Sequence, residues 1–236
     1  MSRTSVPPRR GRHFAVLALA LALTGCSAGE PRSVGPAGVD GLEIPTPTPD
    51  PQDFVRVVDN PYLPLVAGSE WVYDRVEGGV TESVTVSVSG TRTVEGVTAT
   101  EVTTVAEGRS GSVSFLELLA QDREGNVWSF GGDDWLAGRD GAQAGLVMPA
   151  TPRVGDGFRQ QYAPGVAEDR SQVLDTATSV TTAYDSWTDL VEVLETSDVP
   201  TGTETRKLYA PGVGLVLAEE GATRTELVSY ESAENP

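Results

Sequence analysis

Val84-Thr85-Val86-Ser87-Val88 sets an apolar side chain at every second position with a hydroxyl between each pair. Side chains of an extended chain point alternately to opposite faces, so this period of two describes a strand with one face buried and the other in water. Working outward, similar β-branched or aromatic runs occupy residues 71–73, 97–105, 113–119 and 127–130. Further runs cover 158–162, 179–183, 190–194, 205–209, 215–218 and 225–230. Turn residues separate most of them: Gly78-Gly79, Glu95-Gly96, Glu124-Gly125-Asn126, Thr201-Gly202 and Glu220-Gly221. Glycine supplies the positive φ that tight hairpins need. Short strands at such regular spacing predict a mainly β fold: a single antiparallel sheet domain, curved into a half-barrel or barrel-like meander with little helix.

Two stretches depart from the pattern. Asp185-Ser186-Trp187-Thr188-Asp189-Leu190 offers an N-cap and so a short helix start, although Val191-Glu192-Val193 after it reads as strand. Residues 131–164 are the least regular, with Trp135, Leu136, Leu146, Val147 and Met148 among many glycines. They are expected to pack as a long ordered loop over one face or end of the sheet, where a binding site is best sought.

The N-terminal region has a different character. Arg3, Arg9, Arg10 and Arg12 precede the apolar run from Phe14 to Leu23, which ends in Thr24, Gly25 and Cys26. This is the order of a secretory signal, and a run of about 10 apolar residues is too short for a transmembrane helix. Leu23-Thr24-Gly25-Cys26 resembles the lipobox of bacterial lipoproteins. That resemblance implies removal of residues 1–25 as a signal peptide and attachment of a diacylglyceryl group to the Cys26 thiol. Two acyl chains hold a protein on a membrane where one holds only reversibly. Residues 26–52 turn to Gly, Pro and Ser and end in Ile44-Pro45-Thr46-Pro47-Thr48-Pro49-Asp50-Pro51. Alternating prolines favour an extended, semi-rigid tether. The globular β-rich domain is then 53–236, a length suited to one core.

Composition removes several function classes. Four of the 17 basic residues and none of the 34 acidic ones precede Cys26, so the chain without residues 1–25 carries 13 against 34, a net charge of −21. Such a surface repels phosphate backbones, and nucleic acid is not an expected partner. The single histidine, His13, lies in the export segment, and Cys26 is the only cysteine. Disulfides within the chain, the common zinc sites and Ser-His-Asp or Cys-His catalysis are all unavailable to the remainder. No cofactor or metal is expected.

The remaining motifs have structural readings beside functional ones. Asp122-Arg123-Glu124-Gly125-Asn126 groups oxygen ligands near a glycine but lacks EF-hand spacing, and reads as a hairpin turn. Asp133 and Asp134 invite an acid and base pair, but adjacent residues of a strand point to opposite faces and they read as solvated loop carboxylates; a carboxylate-based hydrolase of cell-envelope material stays as the alternative because that chemistry needs only two positioned acids. Trp71, Trp128, Trp135 and Trp187 serve as core or as lining of an apolar groove. The lining expected for a ligand is Trp128, Phe130, Trp135 and Met148, around a cavity beneath residues 131–164.

Asn60-Pro61-Tyr62-Leu63-Pro64-Leu65 with Gly68-Ser69-Glu70-Trp71-Val72-Tyr73, then residues 121–128 and 209–216, resemble a group of bacterial secreted proteins and lipoproteins that bring no activity with them. More distantly the layout is similar to LolA-like lipoproteins, whose half-barrel holds acyl chains. The reading as a whole is a non-enzymatic lipoprotein, anchored on the extracytoplasmic side of the cell membrane through Cys26. Its expected partner is an apolar or amphipathic ligand such as a lipid, or an envelope protein.

Overall fold

The computed structural model of the chain describes residues 49–109 and 111–233. A 3-10 turn at Pro51–Asp53 opens it, capped by the Asp50 carboxylate, which accepts the Gln52 N–H. The strands are β1 Val58–Asn60, β2 Leu63–Leu65, β3 Glu70–Glu77, β4 Val80–Val94, β5 Val97–Gly108, β6 Gly111–Gln121 and β7 Val127–Gly132. After them come β8 Gly145–Met148, β9 Gly157–Ala163, β10 Ala167–Thr181, β11 Ser186–Asp198, β12 Thr201–Ala210, β13 Gly214–Glu220 and β14 Thr223–Glu231.

Twelve of these form one antiparallel sheet in the order β8-β7-β6-β5-β4-β3-β14-β13-β12-β11-β10-β9. Strands consecutive in sequence pair, except that β8 and β9 stand at opposite ends of the order, and β14 returns to β3 to join two meanders. The ends of the sheet then approach one another. Gln143 bridges Tyr162, and Gly145 lies so close to β9 that a Cβ there would stand 2.3 Å from the Gln160 carbonyl oxygen. Twist, increased by bulges at Val88/Gly90, Leu208/Tyr209 and Leu227/Ser229, curls the sheet into a nearly closed barrel. The mainly β, barrel-like meander expected from alternation is the fold that forms.

Several local expectations are corrected. Asp185 starts no helix: Thr182 and Asp185 close a turn and the chain enters β11 at Ser186. Residues 131–164 are not one loop, because β8 and β9 lie within them and only 133–144 remain as a covering segment. Thr201-Gly202 opens β12, and the turn before it is made by Val199-Pro200, joined by a cis peptide bond. β10 begins at Ala167, far ahead of the expected 179, because Glu168, Asp169, Arg170 and Gln172 hide its period. At the other end of the tether, Pro51 sits in the 3-10 turn rather than in an extended run, and residues 1–48 lie outside the described residues.

Strand register assigns side chains to faces. Trp71, Tyr73, Val102, Leu119, Met148 and Val193 point inward to the main core, which Val58 and Leu65 of the β1–β2 hairpin join. Asn60, buried between those two strands, donates to the carbonyls of Gly125 and Pro149, while the Gln121 side chain accepts the Asn60 N–H. These bonds satisfy polar groups that burial would otherwise make costly, and they fix the hairpin against one end of the barrel. A second core lies on the outer face of β4 to β7, where Val97, Leu118, Trp128 and Phe130 are buried. Elsewhere on the outer face, Leu190, Leu208 and Leu217 are covered by the long β10–β11 hairpin through Val180 and Trp187. Near its tip the Ala183 N–H donates to the Glu226 carboxylate on β14.

Candidate ligand-binding site

The second core exists because the chain doubles back at the end of β7. Gly131 has φ +120°, and a Cβ there would stand 2.2 Å from the Trp135 carbonyl oxygen; one at Gly132 would stand 2.1 Å from that of Leu116. Only glycine allows so close a return. The Gly132 N–H then donates to Trp135 O, and the Ala137 N–H to Phe130 O, laying residues 133–144 across the outer face of the sheet. Phe54 closes one side, its ring meeting Phe130 edge to face at 5.2 Å.

Two cavities remain beneath and beside this segment. One, of about 310 Å³, is bordered by Val97, Phe130, Ala137, Ala142 and Ala144, with Pro49, Pro51 and Glu95 at its margin. It is mainly apolar, and it is open because small side chains face Val97 and Phe130. The other, of about 330 Å³, is polar and is bordered by Arg92, Asp133, Asp134, Trp135, Arg139 and Asp140 among others. Ala142 borders both. Each volume lies at the lower end of the range of about 300–1,000 Å³ found for small-molecule sites. Asp133 is held by accepting the Leu116 N–H at 2.8 Å, and Arg92 is paired with Glu101 at 3.0 Å. Arg139 has no ion pair among the described residues, leaving a cation at the border of the polar cavity.

The four residues expected to line a ligand are not gathered in one place. Phe130 borders the apolar cavity and Trp135 the polar one. Trp128 packs beneath them, its indole N–H donating to Asp122 at 2.9 Å, and Met148 points into the main core on the other side of the sheet. Cys26 lies outside the described residues. Val97, the alanines and Arg139 were missed. Val97 was legible only as the start of the strand run 97–105, and the only trace of the others is the run of small residues from Ala137 to Gly145, which carries no period.

A second polar group lies inside the barrel. Lys207, the only lysine, points inward from β12 and pairs with Glu195 at 2.7 Å, with 21% and 18% of these side chains left exposed. Burial alone would lower the lysine's pKa, but Glu195, with Tyr209 and Glu117, outweighs it and holds the ammonium form more firmly than usual. Burial raises the Glu117 carboxyl, with Lys207 opposing and Glu195 adding to the rise, and pushes Tyr209 up to about 12. The Glu117 carboxyl makes no hydrogen bond or ion pair among the described residues. Glu117 on β6 therefore lies in the field of Lys207 on β12, six places away in the sheet order.

No protein-family model matches this chain, and no curated protein matches it by sequence. Among solved structures, it is similar to an inferred exported protein with a YmcC-like fold from Bacteroides fragilis, at 12% identity and a TM-score of 0.44. That match covers 72% of this chain and 99% of the other. It is also similar to an inferred lipoprotein from Parabacteroides distasonis, at 14% identity and a TM-score of 0.35, over 72% of this chain and 98% of the other.

Proposed function

We propose that this chain is an extracytoplasmic, lipid-anchored binding domain that holds an amphipathic small molecule under residues 133–144. The observation that carries this reading is the pair of adjoining cavities of opposite character that share Ala142. The apolar one suits a short hydrocarbon or ring placed against Val97 and Phe130, and Arg139 among Asp133, Asp134 and Asp140 at the polar one suits a hydrogen-bonding or zwitterionic head. The lipobox-like Leu23-Thr24-Gly25-Cys26 supports the anchor, and Pro49 and Pro51, at the end of the tether, border the apolar cavity itself. The hydrolase alternative needs a free acid and base pair; Asp133 is engaged as acceptor for the Leu116 N–H, so binding is the reading adopted.

Native mass spectrometry of the full chain, taken from a bacterial envelope in mild detergent, tests it. A discrete non-covalent adduct, lost on organic extraction and absent from Ala144→Phe with its filled cavity, is the expected result. A clean mass for the unaltered protein would overturn the binding reading, and an adduct undiminished in Ala144→Phe would move the site elsewhere.

A further inference from the structure

The apolar cavity beneath residues 133–144 takes its walls from separate pieces of chain. Val97, Phe130 and Ala137 form its inner side and are almost wholly buried, at 1%, 2% and 4% exposed. Its margin has three parts: the β4–β5 turn at Glu95, the covering segment at Gly138 and Gln143, and a strap at the end of the tether that contributes Pro49 and Pro51. Of the three, the strap alone continues directly toward the proposed anchor at Cys26.

These parts differ in how they are held. Glu95 and Gly96 join two strands that stay paired up to Val94 and Val97. The covering segment is pinned near both ends, the Ala137 N–H donating to Phe130 O and the Gln143 N–H to Tyr162 O. The strap has nothing comparable. Among the described residues, the hydrogen bonds of residues 49–52 stay within 50–53, where Asp50 accepts the N–H groups of Gln52 and Asp53. Pro49 and Pro51 have no N–H to give, and residues 50–52 are exposed. Bonding to the barrel begins at Asp53, whose carbonyl accepts the Arg123 N–H at 2.7 Å, and continues at Val55, whose N–H donates to Gln121 O at 2.9 Å.

We propose that residues 49–52 are the gate of the apolar cavity, lifting about Asp53 to admit the ligand and settling on it afterwards. The inference rests on the binding reading above. Lifting the strap breaks no hydrogen bond to the barrel and gives up only apolar contact, so it needs less free energy than moving either other part of the margin. A ligand placed against Val97 and Phe130 also faces Pro49 and Pro51 across the cavity, and it gains that second buried surface only when the strap is down. Ligand and strap then hold one another. By linkage, whatever fixes the strap in place favours the bound ligand by the same factor.

A removable lock tests this. A Cβ at Gly96 would stand 3.5 Å from the Cβ of Pro51, within the roughly 3.5–4.5 Å that disulfides span. Pro51→Cys with Gly96→Cys is made in the full chain together with Cys26→Ser, so that no other thiol is present. In mild detergent with 2-naphthol, a neutral ring bearing one hydroxyl, native mass spectrometry follows the bound fraction. The oxidised form is expected to load about tenfold or more slowly than the same protein reduced, and to release 2-naphthol loaded beforehand as much more slowly. Gly96 has φ +81°, which strains a cysteine, so Pro51→Asp gives a second measure. It sets a charge in the apolar wall, and release is expected to quicken about tenfold relative to the unaltered protein, with the circular dichroism spectrum unchanged. Equal loading of the oxidised and reduced forms, or unchanged release from Pro51→Asp, would overturn the gate while leaving the cavity occupied. No naphthol adduct on the reduced or the unaltered protein would overturn the binding reading, and the gate with it.

Discussion

Asp122 shows how much one side chain determines. Its Oδ1 accepts the N–H groups of Glu124 and Asn126, and its Oδ2 accepts Asn126 Nδ2 and Trp128 Nε1. The residues that first suggest a cation site instead shape the β6–β7 hairpin, with Gly125 at φ +93°. Asp122→Ala leaves the buried indole N–H and two backbone donors without partners, and is expected to lower stability by roughly 2–4 kcal/mol. Urea unfolding measures this, and an unchanged midpoint would show that water replaces the carboxylate. Glu117 poses a different question. Its raised pKa means that the folded chain holds a proton more firmly than the unfolded one, whose value is near 4.5. The stability it contributes is therefore fully present below 4.5 and is lost as pH rises through the folded value. Glu117→Gln is expected to stabilise the fold at about pH 7 and to change it little at about pH 4. A stability difference that is the same at both pH values would contradict that account.

At the scale of elements, alternation and β-branched or aromatic runs located β3 to β7, β9 and β11 to β14. Alternation is clean where one face is buried, as in β4, and gives way to continuous apolar runs where both faces are, as in β7. It did not locate β1, β2 or β8. These have three or four residues each, too few to show a period, and they are held by partners distant in sequence, as Asn60 is by Gly125 and Pro149. β10 was legible only at its end, where Ser179-Val180-Thr181 alternates. Its earlier half carries charges whose neighbours are residues of β9 and β11. The candidate site was legible only in outline. Residues 131–164 do contain the segment that borders both cavities, but the separation of Trp128 and Phe130 from Met148 depends on strand faces. A bulge between Val127 and Trp128 shifts the register with β8.

At the scale of the whole molecule, the barrel's charge and its tether bear on where it works. The surplus of acidic side chains repels anionic headgroups, so in the proposed lipoprotein reading membrane residence rests on Cys26. Cys26→Ser is expected to leave the domain folded and to move it from the membrane to the soluble fraction. Persistent membrane attachment of that variant would overturn the lipoprotein reading. The sequence by itself determined the class of fold, the turns of most hairpins and the exclusion of a disulfide within the chain, because each follows from local alternation or from composition. Tertiary structure decided that the sheet curls until β8 meets β9, and that Lys207 and Glu117 share its interior. It also decided that residues 133–144 lie over two cavities and that half of β6 is left without a neighbour. These are consequences of which strands end first and which faces meet, and such long-range contacts are written in no single stretch of the chain.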